Sequence, residues 1–232
     1  MQRIGNMREG TIYDAIEIAN LKVDNWKKTY KNMFLNTYIK NMNYEKEIEK
    51  YRKKFNERNI SIYEEQNQIL GYCYYNREWG NSFGEIFALY VRNDKQNQGI
   101  GNAIIKDVLK KLLAEYKEVI LWCAKDNIIA KKFYERNGFV YKEERKCEFG
   151  DESIIEEKYV FNLQQNQRYK ISRLTSFSKK ENEIAVYVNF DLLFFKNQSA
   201  KWFMDIVNRV DLDEIPVDFI QYLLKKEVIE IE

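Results

Sequence analysis

Apolar residues recur at helical spacing from Thr11 to Lys28, with Ile12, Ala15, Ile16, Ala19 and Val23 along one face, and again from Lys31 to Phe55. Both stretches are predicted as helices. Ile60 to Glu64 and Ile69 to Asn76 are short, β-branched and aromatic, and the polar Glu65-Gln66-Asn67-Gln68 between them predicts a hairpin. Glu85 to Val91 reads as a strand. Ile100 to Tyr116 reads as an amphipathic helix through Ile104, Ile105, Val108, Leu109, Leu112 and Leu113. Val119 to Ala124 is nearly continuous in apolar side chains, as in a strand buried on both faces. Asp126 is placed to cap a following helix, and Gly138 to close it. Phe139 to Cys147 and Ile154 to Leu163 form a last hairpin around Gly150-Asp151. The sum is a mixed α/β layer with a parallel step in its middle.

Beyond about residue 160 the pattern changes character. All nine glycines lie between Gly5 and Gly150, the single proline is Pro216, and Gln164-Gln165-Asn166-Gln167 has the polarity of a linker. Tyr169 to Phe177 and Glu183 to Phe195 are strand-like. Asn197 or Ser199 is positioned to cap a helix through Ala200, Phe203, Met204, Ile206 and Val207. Asp211 to Pro216 opens another helix through Val217, Phe219, Ile220, Leu223 and Leu224, and Glu227 to Ile231 returns as a short strand. Two domains are therefore expected, 1–163 and a small α+β domain over 164–232.

The 232 residues carry 38 Lys and Arg against 36 Asp and Glu, which removes the basic footprint of a nucleic-acid binder. No apolar run approaches a membrane span and the N-terminus lacks a signal-peptide core, so a cytoplasmic protein without membrane partners is expected. Three widely spaced cysteines, Cys73, Cys123 and Cys147, indicate neither a disulfide framework nor a metal cluster. Histidine is absent, which excludes Ser-His and Cys-His mechanisms and the commonest metal ligand. Catalysis must then use carboxylates, tyrosine, lysine, backbone dipoles or water. The richness in Asn, Lys, Ile, Tyr and Glu is what an AT-rich coding genome produces, and a bacterial protein is expected.

The segment with most chemical content is Leu89 to Ala103, where a strand ends, a polar loop follows and Gly99 and Gly101 open a long helix. Unpaired N–H groups and the helix dipole make such a junction an anion site, and glycine lets a phosphate approach the backbone. Alone, Gly-x-Gly at a helix start is equally a tight strand-to-helix turn. Gln96-x-x-Gly99-x-Gly101 is, however, followed about thirty residues later by Asn127-x-x-Ala130-x-x-Phe133-Tyr134-Glu135-x-x-Gly138-Phe139. Together these resemble the signatures of the Gcn5-related N-acetyltransferase (GNAT) family, over about Thr11 to Leu163.

The resemblance implies a splayed central mixed sheet, acyl-CoA as co-substrate with no metal, and acetyl or short acyl transfer to an amine of a small molecule, peptide or protein by direct attack in a ternary complex. It implies that Leu89, Tyr90 and Val91 contact the pantetheine arm. Gln96, Asn97, Gln98, Gly99, Ile100, Gly101 and Asn102 would wrap the pyrophosphate, and Asn127 would hydrogen-bond the arm. Tyr134 is the general-acid candidate for the departing thiolate, with a core tyrosine as its plain alternative. Glu85 is the candidate base, directly or through water. Glu78, Tyr72, Tyr74 and Tyr75 are weaker alternatives, and Trp26, Tyr30, Trp79 and Phe83 are candidates for the acceptor pocket. Several family members carry a catalytic glutamate where this chain has Trp122, so that role is not carried over; the indole is read as core or pocket wall, and Cys123 as a small buried hydrophobe. The element order after residue 164 weakly resembles a winged-helix peptide-recognition module. Alternatives are therefore acylation of a ribosomal peptide clamped by this domain, or a non-catalytic acyl-CoA or peptide scaffold, and a homodimer is compatible with either.

Overall fold

The computed structural model describes residues 5–30, 36–55, 59–76, 82–149, 152–163, 169–209 and 212–231. The chain divides into two compact units, one of residues 1–109 and 119–161, the other of 110–118 and 162–232.

The first unit is built on a seven-stranded sheet in the order β1-β2-β3-β4-β5-β7-β6. Its strands are β1 (Asn6–Glu9), β2 (Asn59–Glu65), β3 (Gln68–Asn76), β4 (Gly84–Val91), β5 (Glu118–Ala124), β6 (Val140–Phe149) and β7 (Glu152–Asn162). The β4–β5 pair is parallel, whereas β3–β4 and β6–β7 are antiparallel. The β2–β3 turn uses two residues, Gln66 and Asn67, both at positive φ, which is why the polar tetrapeptide makes so tight a hairpin. β1, only four residues long, escapes the sequence pattern; it pairs antiparallel to β2 from Asn6↔Glu64 to Glu9↔Ser61.

Helices cover both faces. α1 (Ala15–Thr29) and α3 (Tyr44–Lys54) lie over Ile60, Ile62, Tyr72 and Tyr74. Gly71, one residue from Tyr72, faces Ile100 and Ile104 of α4 (Ile100–Leu113), so α4 covers the opposite side. The long helix expected over Lys31–Phe55 is interrupted: the described parts are α2 (Asn36–Lys40) and α3, with Asn43 capping α3 by accepting from the Lys46 N–H at 3.1 Å. On α1 the buried stripe is Ala15, Ile18, Ala19, Leu21 and Val23, whereas Ile12 and Ile16 stay about half exposed. α5 (Ile128–Arg136) is capped by Asn127 rather than Asp126, because it is the Asn127 Oδ1 that accepts from the Ala130 N–H. Gly138 follows at φ +87°, the left-handed conformation expected of it.

In the second unit each strand-like stretch holds two strands. β8 (Tyr169–Ile171) pairs with β12 (Ile229–Ile231), while β9 (Thr175–Lys180), β10 (Glu183–Val188) and β11 (Asp191–Lys196) form a meander in the order β11-β10-β9. The break inside 183–195 is a two-residue turn at Asn189-Phe190, both at positive φ. α6 (Gln198–Asn208) and α7 (Val217–Lys225) complete the unit, and the buried face of the meander supplies Ile184, Val186, Val188 and Phe195, with Phe195 stacking on Phe203 of α6 at 5.5 Å.

Candidate active site

The site begins where two strands part. β4 pairs with β5 only from Gly84↔Val119 to Ile86↔Leu121. In the β3–β4 ladder the register steps from Tyr74↔Ala88 to Tyr75↔Ile86, leaving Phe87 as an extra residue on β4. Such a bulge bends the strand that carries it. From Phe87 to Val91, β4 is thus paired on its β3 side, with no ladder to β5 among the described residues. Leu89, Tyr90 and Val91 lie on this segment, opposite Cys73, Tyr72 and Gly71. Tyr90 turns toward α1, where the Trp26 Nε1–H donates to its hydroxyl at 2.6 Å. Val91 turns the other way, toward Gly101.

β4 runs out into the loop that carries the glycines. Arg92 holds Asp94 at 2.7 Å, and the Gln98 Nε2–H donates to the Asp94 carbonyl at 3.3 Å. The Gln96 side chain turns back to the Asn25 Oδ1, the Val91 carbonyl and the Asn93 Oδ1, each at 3.4 Å, so it ties the loop to α1 and β4. Asn97 at φ 61° and Gly99 at φ 86° reverse the chain into α4. The Ala103 N–H bonds the Gly99 carbonyl at 3.0 Å, so the N–H groups of Ile100, Gly101 and Asn102 precede the helical ladder at the positive end of the dipole. A Cβ placed on Gly99 would have no atom within 4 Å, whereas one on Gly101 would lie 3.2 Å from the Phe133 ring. The two glycines therefore serve different ends: Gly99 keeps space in front of the helix terminus open, and Gly101 lets α4 pack against α5. An open, exposed space faced by helix-terminal N–H groups beside an unladdered strand edge fits a diphosphate with an extended arm.

Asn127 and Tyr134 sit on α5. The Asn127 Nδ2–H donates to the Tyr30 hydroxyl at 3.3 Å while its oxygen caps the helix. Burial pushes the Tyr30 phenol up to about 12. Tyr134 is buried between Phe133 and Phe139, with ring centroids at 5.3 and 5.8 Å. Burial first, then the neighbouring Cys123, Cys73 and Tyr30, raise this phenol well above its usual value, so it remains protonated at neutral pH. No hydrogen bond engages its hydroxyl among the described residues. Cys123 is buried, and burial drives its thiol up to about 12, the profile of an inert core cysteine.

Glu85 is half-buried at the start of β4, opposite Asn76 of β3 and Ile120 of β5, still within the paired part of the parallel ladder. Tyr72, Tyr74 and Tyr75 are all buried, Tyr72 sharing a 2.7 Å hydroxyl contact with Tyr51 of α3. Trp122 is half-buried rather than core: the Arg145 guanidinium lies over its ring at 3.8 Å, and Arg145 also pairs with Glu156 at 2.8 Å. Glu78 and Trp79 lie outside the described residues. The structure thus links Asn127 to Tyr30, and Gln96 to Asn25, while Glu85 stands apart along β4. Lys22, Tyr51 and Lys54 were not singled out from the sequence. They join Trp26, Tyr74 and Tyr90 around a cavity of about 400 Å³ beside the bulge. Only their positions in separate helices brought to one strand reveal them.

The acetyltransferase (GNAT) family profile matches residues 23–139. The uncharacterized N-acetyltransferase YuaI of Bacillus subtilis is 24% identical over 125 residues, spanning 52% of this chain and 72% of that protein. Among solved structures, the PaiA N-acetyltransferase of Thermoplasma acidophilum, in complex with coenzyme A, matches 66% of this chain and 98% of its own at 19% identity and a TM-score of 0.54. A GCN5-related N-acetyltransferase of Rhodopseudomonas palustris matches 70% and 98% at 16% identity and a TM-score of 0.59. At these identities the structures speak to the fold.

Proposed function

The chain belongs to the GNAT family and is an acyl-CoA-dependent N-acetyltransferase, and from that premise we propose how its own residues carry the reaction. The diphosphate lies on the N–H groups between Gln96 and Asn102, and the pantetheine arm lies along Leu89, Tyr90 and Val91. Acetyl-CoA supplies an acetyl group on a thioester sulfur, so that a C–N bond forms to the acceptor amine as the C–S bond breaks. Glu85, directly or through a water molecule, takes the proton that the acceptor ammonium must lose. The Tyr134 hydroxyl, protonated at neutral pH, donates a hydrogen bond to the departing sulfur. Asn127 fixes the start of α5 and so the height of Tyr134 in the gap. The observation that carries this reading is the coincidence of three features in one unit: the β4–β5 ladder that stops at Ile86, the open space at Gly99, and the unengaged hydroxyl of the buried Tyr134.

The test is thiol release from acetyl-CoA across a panel of primary amines. Tight CoA binding with no thiol release for any amine supports the non-catalytic alternative. Among the described residues no helix is long and apolar enough to cross a membrane. All three cysteines are free, which suits a reducing, cytoplasmic setting.

A second reading rests on one feature of the second unit. Tyr187, Leu192 and Phe194 share a face of the β9–β11 sheet and are 46%, 56% and 55% exposed. An apolar sheet face of this kind is where a peptide acceptor would be held. Charged replacements at Leu192 and Phe194 that leave peptide acetylation intact would discard it.

A further inference from the structure

We propose that Trp122 limits the length of the acyl group this chain accepts, and that Arg145 and Glu156 hold its indole in place to do so; the proposal rests on the acetyl-transfer reading above. Ile86↔Leu121 is the last pair of the β4–β5 ladder, so Trp122 is the first residue of β5 beyond it, as Phe87 is the first of β4. A thioester arm that starts from a diphosphate at Gly99 and lies along Leu89 to Val91 runs inward to the level of Phe87 and Trp122. There the paired strands stop it, and the acyl group must turn out of the sheet. Glu85 is opposite Asn76 on one side and Ile120 on the other, and alternate residues of a strand share a face, so Trp122 and Ala124 stand on the face of Glu85. Ala124 packs there with Ile39 of α2 and with Trp26 and Tyr30 of α1. The other face is occupied by α4 and, through the contact of Gly101 with Phe133, by α5. The acyl group therefore turns out on the side of Trp122, where the candidate base also stands.

A wall that measures length must not swing aside. Trp122 is half-buried, and the Arg145 guanidinium lies 3.8 Å from its ring centroid. Arg145 is itself tied to Glu156 through Nε and Nη2, at 3.0 and 2.8 Å from the same carboxylate oxygen. Arg145 and Glu156 are opposite each other in the β6–β7 ladder, so the brace is built on the sheet and not on a loop. Lys158, two residues along β7 from Glu156, stands 5.8 Å from the same ring. The cation over the indole face and the charge-assisted bonds behind it fix the ring's orientation. An acetyl group adds only a methyl beyond its carbonyl, whereas a hexanoyl group adds a chain of methylenes that presses on this braced ring. Crowding against a packed aromatic outweighs the usual gain from added methylenes.

Calorimetric titration with acetyl-CoA and with hexanoyl-CoA tests this without any acceptor amine. The wild type should bind acetyl-CoA at least about tenfold more tightly than hexanoyl-CoA. Trp122→Ala should bring hexanoyl-CoA level with acetyl-CoA or tighter, since the added methylenes then enter space and are buried. Arg145 acts through the indole as a positioning residue: Arg145→Met should narrow the wild-type ratio, and Arg145→Lys, which keeps a cation over the ring, should restore part of it. The ratio of the two thioesters is the readout because a general loss of packing weakens both alike. Equal or tighter uptake of hexanoyl-CoA by the wild type overturns the proposal, whichever variants fold. A wild-type ratio unaltered in Trp122→Ala protein that still binds acetyl-CoA also overturns it; should that variant lose acetyl-CoA uptake altogether, the ratio in Trp122→Leu and Arg145→Met decides in the same sense. Absence of acetyl-CoA uptake by the wild type would instead overturn the acetyl-transfer reading and this proposal with it.

Discussion

Replacing Gly99 with alanine separates the binding role of the glycine loop from its part in folding. At φ 86° an alanine takes a left-handed conformation that costs about 1–2 kcal/mol, yet its methyl meets no atom within 4 Å. The expected stability loss is therefore confined to about 1–2 kcal/mol, a melting shift of about 2–8 °C for a chain of this size. The same methyl projects into the space assigned to the diphosphate. Displacing that group from two charge-assisted N–H contacts, each worth about 1.5–3 kcal/mol, weakens CoA binding by about a hundredfold or more. Titration of wild type and Gly99→Ala with acetyl-CoA, and in parallel with S-acetylpantetheine, which lacks the diphosphate, reads the effect. Only the CoA affinity should fall, and Gly99→Asp should abolish it. Unchanged CoA affinity, or an equal loss for both thioesters, would refute the assignment of Gly99 to the diphosphate. Gly101→Ala is the contrasting case: its methyl presses on Phe133 at 3.2 Å, so stability should fall by about 1–3 kcal/mol, and turnover with it, since Phe133 packs against Tyr134.

Tyr134→Phe should lower kcat by about 10- to 100-fold with acetyl-CoA affinity and melting temperature nearly unchanged, because the lost hydroxyl has no partner in the free protein; an unchanged kcat returns Tyr134 to a packing role. Glu85→Gln should depress kcat/KM at pH 7 and recover as pH approaches the acceptor amine's own pKa, near 10 for an alkylamine, since solvent then removes the proton; a uniform deficit across the pH profile would disqualify Glu85 as base. Asn127→Ala removes both the α5 cap and the bond to Tyr30, and should cost about 0.5–2 kcal/mol in a denaturant titration. Melting temperature should fall steeply above pH 10. The buried phenols have folded values above the unfolded value, so their stabilisation is complete below pH 10 and is lost as pH rises: for Tyr30, at about 12, the loss reaches about 2–3 kcal/mol by pH 12.

The parts of this architecture written in local chemistry were legible from the sequence. Periodicity located β2 to β5 and the body of α4. Gln96, Gly99 and Gly101 located the helix terminus because a left-handed φ and a close approach leave glycine as the signature. Features decided by tertiary context were not. Ile12 and Ile16 fit the apolar stripe of α1 as well as Ile18 and Leu21 do, and only the position of the sheet decides which pair is buried. Asp126 and Asn127 are both good caps, and the choice turns on where the first free N–H of α5 points. The bulge at Phe87 leaves no mark in an apolar run, and the Asn189-Phe190 turn hides in one because phenylalanine is rare at positive φ. The cavity lining draws on α1, α3, β3 and β4, so no window of sequence contains it.

A crystal structure of the protein soaked in acetyl-CoA tests the central claim most directly. The account expects the diphosphate oxygens within about 3 Å of N–H groups between Gln96 and Asn102, and the sulfur beside the Tyr134 hydroxyl. A nucleotide bound elsewhere, or a sulfur remote from Tyr134, would contradict it.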